Sequence, residues 1–389
     1  MDAQPNGFIA RMFDGVDENH DPRADNARHS LTDILVIAIL AVMSGSDDFP
    51  GIVEFGRDHA AWLKTFLRLP HGIPSISTFR RVFAVLKPSV LAEVMRRWSS
   101  ELLSGSMKDK QIAIDGKALR RSFDHGWDKS GLHIVTAWCV EENLVLAQQA
   151  VDQKSNEITA VPELLKLLDL RGAVVTVDAL NTQKEIAAQI VKGGGDYLMA
   201  VKENHPTLYE SIQRNMNEMI LEKFDGVEHV YHETTNGGHG RIETRRVWAT
   251  EQIDDWLEEQ TRRDWKNLTS VVVVESTRQM MGKSEKSTER RYFIGSVLCS
   301  SGERLGNLVR NHWSTENSQH WSLDMAFNED QSRVRKDHGD QNLAVLRRIA
   351  LGLLRRDKSV KLGAKNKRLK AARNREYLLH VLLSPLTAK

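Results

Sequence analysis

Gln111-Ile-Ala-Ile-Asp115-Gly-Lys117 decides how this chain is read. Ile112, Ala113 and Ile114 make a short β-type run, and an acidic residue closes it where the chain leaves the strand. The arrangement recurs at Ala173-Val-Val-Thr-Val177, a buried-strand pattern that runs directly into Asp178. One Asp at a strand end is a common turn former. Two at such ends, feeding one sheet, point two carboxylates into a shared cleft. Working outward, residues 132–140 and 144–151 read as two more strands joined across Glu141-Glu142-Asn143, an antiparallel meander. Residues 158–168 have helical spacing, with Pro162 tolerable only in the first turn. Residues 182–191 are helical and 197–201 form a fifth strand.

Three strands, a helix, a strand, a helix and a strand make an α/β order. It matches a ribonuclease H-like core, a mixed sheet whose carboxylates gather at strand ends, and residues 106–204 are read as its first part. Residues 205–300 depart from the pattern: a helix precedes strand-like runs at 229–234, 243–248, 270–275 and 291–298, a β-rich insertion. Helices resume at Arg304, and residues 301–357 are read as the last part of the core. One helix extends through Asn317. Another covers 341–356, with Leu343, Leu346, Ala350 and Leu353 on one side and Arg347, Arg348 and Arg355 elsewhere.

Residues 1–105 read as an N-terminal helical domain. Ser30-Leu-Thr-Asp33 is a capping-box-like start for the apolar helix after it, and a second helix spans 52–67. Past the breaker Pro70-His-Gly-Ile-Pro74, Ser77 caps a third helix carrying Arg80 and Arg81. This is either a helix-turn-helix that meets DNA through those arginines or a small bundle with a solvated basic edge, and both readings stay open. Residues 358–389 form a basic C-terminal segment, with eight Lys and Arg and no acidic residue from Lys358 to Arg375.

At 389 residues, with 27% charged and 41% hydrophobic residues, the chain is expected to fold throughout and suits a central catalytic domain with attached modules. A net charge of +2 does not announce a nucleic-acid binder, so local patches must carry that argument. Cys139 and Cys299 lie far apart in apolar segments and have neither zinc nor disulfide spacing, which implies buried thiols in a reducing cytoplasm. The apolar run 34–43 falls well short of the roughly 20 residues that cross a bilayer, so no membrane is expected as a partner.

His312-Trp-Ser-Thr-Glu316-Asn-Ser-Gln-His320-Trp321 places His312, Glu316 and His320 four residues apart, a polar stripe on a regular helix. It could be a His-Glu-His metal site, a solvated face, or one carboxylate delivered to the Asp pair while the histidines touch DNA. Lys117, Arg120 and Arg121 follow the first Asp, Lys202 and Asn204 follow the fifth strand, and Arg241, Arg245 and Arg246 lie beside Asn236-Gly-Gly-His-Gly240. Each is either a DNA contact or an ordinary surface group.

Ile112-Ala-Ile-Asp-Gly-Lys117, Val177-Asp-Ala-Leu-Asn-Thr-Gln183, Gly194-Gly-Asp-Tyr-Leu-Met-Ala-Val-Lys-Glu-Asn-His-Pro206 and the His312–Trp321 run resemble the successive signatures of insertion-sequence DDE transposases. The H-repeat-associated branch is the nearest in pattern. The resemblance continues through Phe327-Asn-Glu-Asp330 and Asn342-Leu-Ala-Val-Leu-Arg-Arg348, and the N-terminal region is similar to that branch's associated helical domain. It implies that Asp115, Asp178 and Glu316 are the catalytic carboxylates and hold Mg²⁺ or Mn²⁺. It also implies double-stranded DNA as partner, both terminal inverted repeats and target; because two ends must be joined, a homodimer in the transposition complex is the mechanistic expectation. Of the related Tyr-Arg-Glu-Lys signature only the Glu is kept: Val309, His312 and Leu323 replace the others, which weakens the assignment of phosphate contacts.

Three carboxylates suit this chemistry because two divalent ions about 3.5–4 Å apart stabilise the entering and leaving oxygens of a phosphodiester, and hard oxygen ligands suit Mg²⁺. Asp324 and Glu329 rival Glu316. Asp324 would stand some 12 Å further along a regular helix, so the two could not share one metal pair there. A nuclease of the same fold without strand transfer and a catalytically inactive repeat-associated DNA-binding protein are the other functions compatible with the sequence.

Overall fold

Strand β1, Gln111–Ala118, is longer than its apolar run: it continues through Asp115 rather than ending there. The computed structural model describes residues 5–16, 21–23, 27–123, 131–152, 155–238, 240–282 and 284–387, so His239 in the expected insertion turn lies outside them. Two compact units share the chain: residues 1–106, 116–156 and 316–389 form one, and residues 107–115 and 157–315 the other. The division falls within β1, immediately after Asp115.

In the unit containing residues 157–315, β4 (Val174–Val177) and β5 (Asp196–Val201) follow β1 in parallel. All four residues of β4 are buried, as expected of a central parallel strand covered on both faces. The expected insertion is not set apart from this sheet. Strands β6 (Val230–Gly238), β7 (Arg241–Thr250), β8 (Ser270–Met280) and β9 (Lys286–Gly295) form an antiparallel meander, and β9 pairs antiparallel with β5. The order in this unit is therefore β1-β4-β5-β9-β8-β7-β6, a mixed sheet.

Its core joins Val174 and Leu198 to Val247, Val272 and Phe293, beneath Leu305 and Leu308 of the Gly302–His312 helix. Ser301 caps that helix by accepting from the Arg304 N–H. The Glu157–Leu165 helix takes Pro162 beyond its first turn, contrary to the sequence expectation.

In the other unit, Leu31–Met43 is apolar on all sides and accordingly buried on all sides, with Ser30 accepting from the Asp33 N–H. Asp33, its one acidic residue, is buried and accepts from the Leu69 N–H at 3.2 Å. The second helix is shifted and broken: Phe49–Asp58 starts on an Asp48 cap, and a single turn, Ala60–Leu63, follows. The third, Ile76–Val85, is capped by Ser75 and not Ser77. Seventeen residues, including that single turn, separate Asp58 from Ile76, more than the three- or four-residue turn that joins the two helices of a helix-turn-helix.

Strands β2 (His133–Cys139) and β3 (Leu144–Ala150) form the expected hairpin, with the end of β1 beside β2. The Gly339–Arg356 helix packs on the Leu31–Met43 and Pro88–Leu102 helices. It is buried almost all round, and the arginines expected on a separate side are inside: Arg347 and Arg348 are each 1% exposed.

The basic C-terminal segment is also folded, as helices Ala364–Arg373 and Arg375–Thr387. Lys367 and Arg368 are buried and donate to backbone carbonyls, Lys367 to Leu354 and Asp357 and Arg368 to Val42 and Ala326. This part of the segment is a staple rather than a solvated tail.

Candidate functional site

The parallel register of β1 and β4 pairs Ile114 with Val177, so Asp115 in β1 and Asp178, the first residue past β4, come next after that pair. Adjacent strands stand about 4.8 Å apart. Asp178 stands at a strand end as the sequence suggested, whereas Asp115 lies within its strand, and both side chains are half-buried. Side chains alternate along a strand, which puts Gln111, Ala113 and Asp115 on the same face as Val174, Thr176 and Asp178.

That face carries a polar cluster the sequence reading missed. Gln111 Nε2 donates to Thr176 Oγ1 at 2.9 Å and to the Leu308 carbonyl at 2.8 Å. Thr176 Oγ1 in turn shares a hydrogen bond of 3.0 Å with His312 Nδ1. These bonds fasten the Gly302–His312 helix across the face that carries the Asp pair. A polar Gln and Thr in otherwise apolar strands were the available signal.

His312 was expected to meet DNA. Instead its ring turns in to Thr176, and burial pushes its pKa down to about 4, so it presents no positive charge to a phosphate near neutral pH.

Asp178 Oδ1 accepts from the Asn181 backbone N–H at 3.1 Å and from Asn181 Nδ2 at 2.9 Å, and the same Nδ2 lies 2.9 Å from Glu157 Oε2. Burial raises the Asp178 pKa, the like charge of Glu157 raises it further, and the Asn181 bonds with Lys202 only partly offset this. Thr182 Oγ1 donates to the Asp178 and Ala200 carbonyls, tying the exits of β4 and β5 together. Asn204 adds a second tie, donating to the Ala179 carbonyl at 2.6 Å. The Asn204 amide thus acts on the backbone here, while Lys202 is exposed.

Glu316 belongs to the other unit and is exposed. The helix expected to run through it stops at His312, and Thr315–His320 form a π-helical turn before the Trp321–Phe327 helix begins. His312, Glu316 and His320 therefore do not share one face of a regular helix. His320 is half-buried.

The rivals to Glu316 are engaged elsewhere in the same unit. Glu329 has no exposed surface and accepts from Arg348 Nη1 at 2.8 Å, and Asp324 is ion-paired with Lys117. Lys117 is itself 8% exposed and surrounded by Asp324, Glu329 and Asp330. Its expected role at phosphate is corrected on that ground: three carboxylates already neutralise it.

Of the other expected contacts, Arg80, Arg81, Arg120, Arg121 and Arg241 are exposed, Arg120 lying 3.3 Å from Asp330. Arg245 pairs with Glu243 at 2.6 Å, and Arg246 with Glu233 and Glu275.

Among the described residues no group of three or more His, Cys, Asp or Glu side chains stands in a metal-ligating arrangement, and no helix is long and apolar enough to cross a membrane. Cys139 is buried and Cys299 partly buried, and neither is in a disulfide.

Comparison with known proteins gives a family match over most of the chain. Residues 106–353 match the domain described as "Transposase DDE domain", and residues 12–99 the one described as "DDE_Tnp_1-associated". The chain is 36% identical over 362 residues to "Putative protein YbfL" of Escherichia coli K12, covering 92% of this chain and 94% of that protein. It is 36% identical over 356 residues to the "H repeat-associated putative transposase YhhI" of the same strain, covering 91% and 92%. A Xanthobacter autotrophicus protein, "Uncharacterized protein in dhlA 3'region", is 43% identical over 278 residues, 71% of this chain and 91% of that one.

Proposed function

This chain belongs to the family of DDE transposases, and we propose that it binds the terminal inverted repeats of an insertion sequence, cuts DNA at their ends and joins those ends to target DNA. The observation that carries the reading is the register of β1 and β4, which makes Asp115 and Asp178 neighbours on one face of one sheet. We read the strand order β3-β2-β1-β4-β5 as ribonuclease H-like, with β6–β9 as the insertion.

Asp115, Asp178 and Glu316 are the proposed metal-holding and catalytic residues. Their donor set is carboxylate oxygen, which suits Mg²⁺ or Mn²⁺. Asp178 fits a cation for a second reason: burial and the charge of Glu157 oppose its ionisation, and a nearby positive charge relieves that opposition. When bound, such ions stabilise charge on the entering and leaving oxygens of the phosphodiester. Glu316 is favoured over Asp324 and Glu329 because it is exposed, whereas those two are held by Lys117 and Arg348.

The chain's own residues do the rest. Gln111, Thr176 and His312 hold the helix that leads to Glu316. Asn181 orients the Asp178 carboxylate. Exposed Arg80, Arg81, Arg120, Arg121, Lys202 and Arg241 are the cations proposed to meet the DNA backbone, with His320 and Arg245 as further contacts. Two ends must be joined in one reaction, which calls for two copies of the chain acting together, in the cytoplasm where the DNA lies.

The test is incubation of the purified protein with its flanking DNA and Mg²⁺, mapping both cut and joined products. Asp115→Asn, Asp178→Asn and Glu316→Gln should each abolish cutting while end-DNA binding persists, because the lost groups act on metal rather than on bases. Cutting without joined products would reduce the activity to that of a nuclease. Normal cutting by all three variants would overturn the reading.

A further inference from the structure

The π-helical turn Thr315–His320 is a form that seldom exceeds a single turn and needs a local cause. Its sequence, Thr-Glu-Asn-Ser-Gln-His, contains no aliphatic side chain larger than a methyl, so burial of apolar surface cannot hold it. Two polar attachments do. Gln319 and Thr136 of β2 are both without exposed surface, and they pair side chain to side chain: Gln319 Nε2 donates to Thr136 Oγ1 at 3.1 Å, with Gln319 Oε1 at 3.3 Å from the same hydroxyl.

Arg355, near the end of the Gly339–Arg356 helix, reaches the turn from another side. Its Nη2 donates to the Ser318 carbonyl at 2.7 Å and to Ser322 Oγ at 2.8 Å, and its guanidinium lies 5.0 Å from the ring of Trp138, also on β2. Among the described residues no carboxylate pairs with Arg355, although burial lowers its pKa to about 10. The helix C-terminus offsets part of that cost. A buried guanidinium spent on a carbonyl and a hydroxyl is a poor way to stabilise a fold, since unpaired buried charge is costly. It is a precise way to fix a backbone. The Glu316 side chain makes no hydrogen bond or ion pair among the described residues, so the backbone of this turn sets where its carboxylate can reach.

We propose that Thr136, Gln319 and Arg355 are positioning residues that hold the Thr315–His320 turn in the one shape in which Glu316 can serve as a metal ligand. This rests on the assignment of Glu316 made above.

The test uses full-length protein and three readouts: Mn²⁺ affinity without DNA, from the electron paramagnetic resonance signal of the free ion; end-DNA binding by gel shift; and thermal unfolding. Thr136→Val keeps the side-chain shape and removes the hydroxyl, and Thr136→Ser keeps the hydroxyl. The valine variant is expected to weaken Mn²⁺ binding by about tenfold, as loss of a partner behind a metal ligand does, with DNA binding unchanged and a single melting transition lowered only by the loss that an unpaired buried Gln319 amide brings. The serine variant should return to near the parent value. Arg355→Lys should match the valine variant; if it fails to fold, the Thr136 pair decides alone.

Glu316→Gln is the reference. If that variant still cuts DNA, both the assignment of Glu316 and this inference fall. If it is dead while Thr136→Val binds Mn²⁺ as tightly as the parent, or Thr136→Ser loses as much as Thr136→Val, only the positioning role is overturned.

Discussion

Glu329 has no exposed surface, and burial alone would raise its pKa; the charges of Arg348, Lys117 and Arg347 outweigh burial and hold it down to about 2. A carboxylate held below its unfolded value of 4.5 adds stability above that pH and loses it as pH falls from 4.5 towards 2. Glu329→Gln should cost about 3–5 kcal/mol at neutral pH, the usual penalty for removing one partner of a buried pair. Urea unfolding across this window should show that the parent's acid-sensitive share is missing from the variant. His312 works through the same linkage. Its folded pKa of about 4 lies below the unfolded 6.5, so its share of stability is complete above 6.5 and is lost as pH falls to 4. An NMR titration should place the His312 midpoint near 4, and a midpoint near 6.5 would contradict the buried placement. At this scale the Asp pair was legible because an apolar strand followed by an acid is a local pattern. The fate of Lys117 was not, because its partners Asp324 and Glu329 lie 207 and 212 residues further along the chain. No local pattern records such a long-range pairing.

Elements were legible where their period was undisturbed. The strands from β1 to β9 each appear near their expected positions because β-branched runs bounded by turn residues carry their own signal. The helix through Glu316 was misread because a stripe spaced by four assumes α geometry, whereas the turn is held in its wider form by Thr136 and Arg355 from other elements. The Gly302–His312 helix shows a further dependence on distant partners. A Cβ at Gly302 would stand 2.9 Å from the Tyr231 carbonyl carbon and 3.0 Å from the His232 nitrogen, both backbone atoms of β6. At Gly306 the closest approach, also 2.9 Å, is to a methyl of Val247. A methyl at the end of a side chain can shift, but a paired strand resists. Gly302→Ala is therefore expected to lose about 1–3 kcal/mol, typical of forced overpacking, and Gly306→Ala less. Guanidinium unfolding of the two variants checks the order, and a stabilised Gly302→Ala would mean that the helix does not seat so closely on β6.

For the whole molecule, composition concealed more than it revealed. A net charge of +2 averages over exposed arginines and over a buried network in which Lys117, Arg347, Arg348, Lys367 and Arg368 serve the fold. Residues 205–300 read as a β-rich insertion because their strands depart from the core pattern, and the pairing of β9 with β5 is a connection that strand period cannot disclose. The C-terminal segment shows why charge must be divided before it is assigned a use. Lys358, Lys361, Lys365 and Arg373 are exposed, whereas Lys367 and Arg368 close the unit from inside and the Tyr377 hydroxyl donates to Asp357. Cutting the chain after Asp357 would remove all of these together, and any loss of DNA binding would then report unfolding. Replacing Lys358, Lys361, Lys365 and Arg373 with Gln, and leaving the exposed Arg375 in place at the start of the last helix, separates the two uses. Surface changes of this kind usually alter stability by no more than about 0.5 kcal/mol each, so the quadruple variant should fold. If these side chains meet phosphates, the slope of log affinity against log salt should become shallower by about 0.9 for each phosphate no longer neutralised. Lys367→Met should do the reverse, lowering the melting temperature with the salt slope unchanged at temperatures where it remains folded. Should the quadruple variant keep the parent slope, those four cations are solvated charges and DNA is held by other cations of the chain.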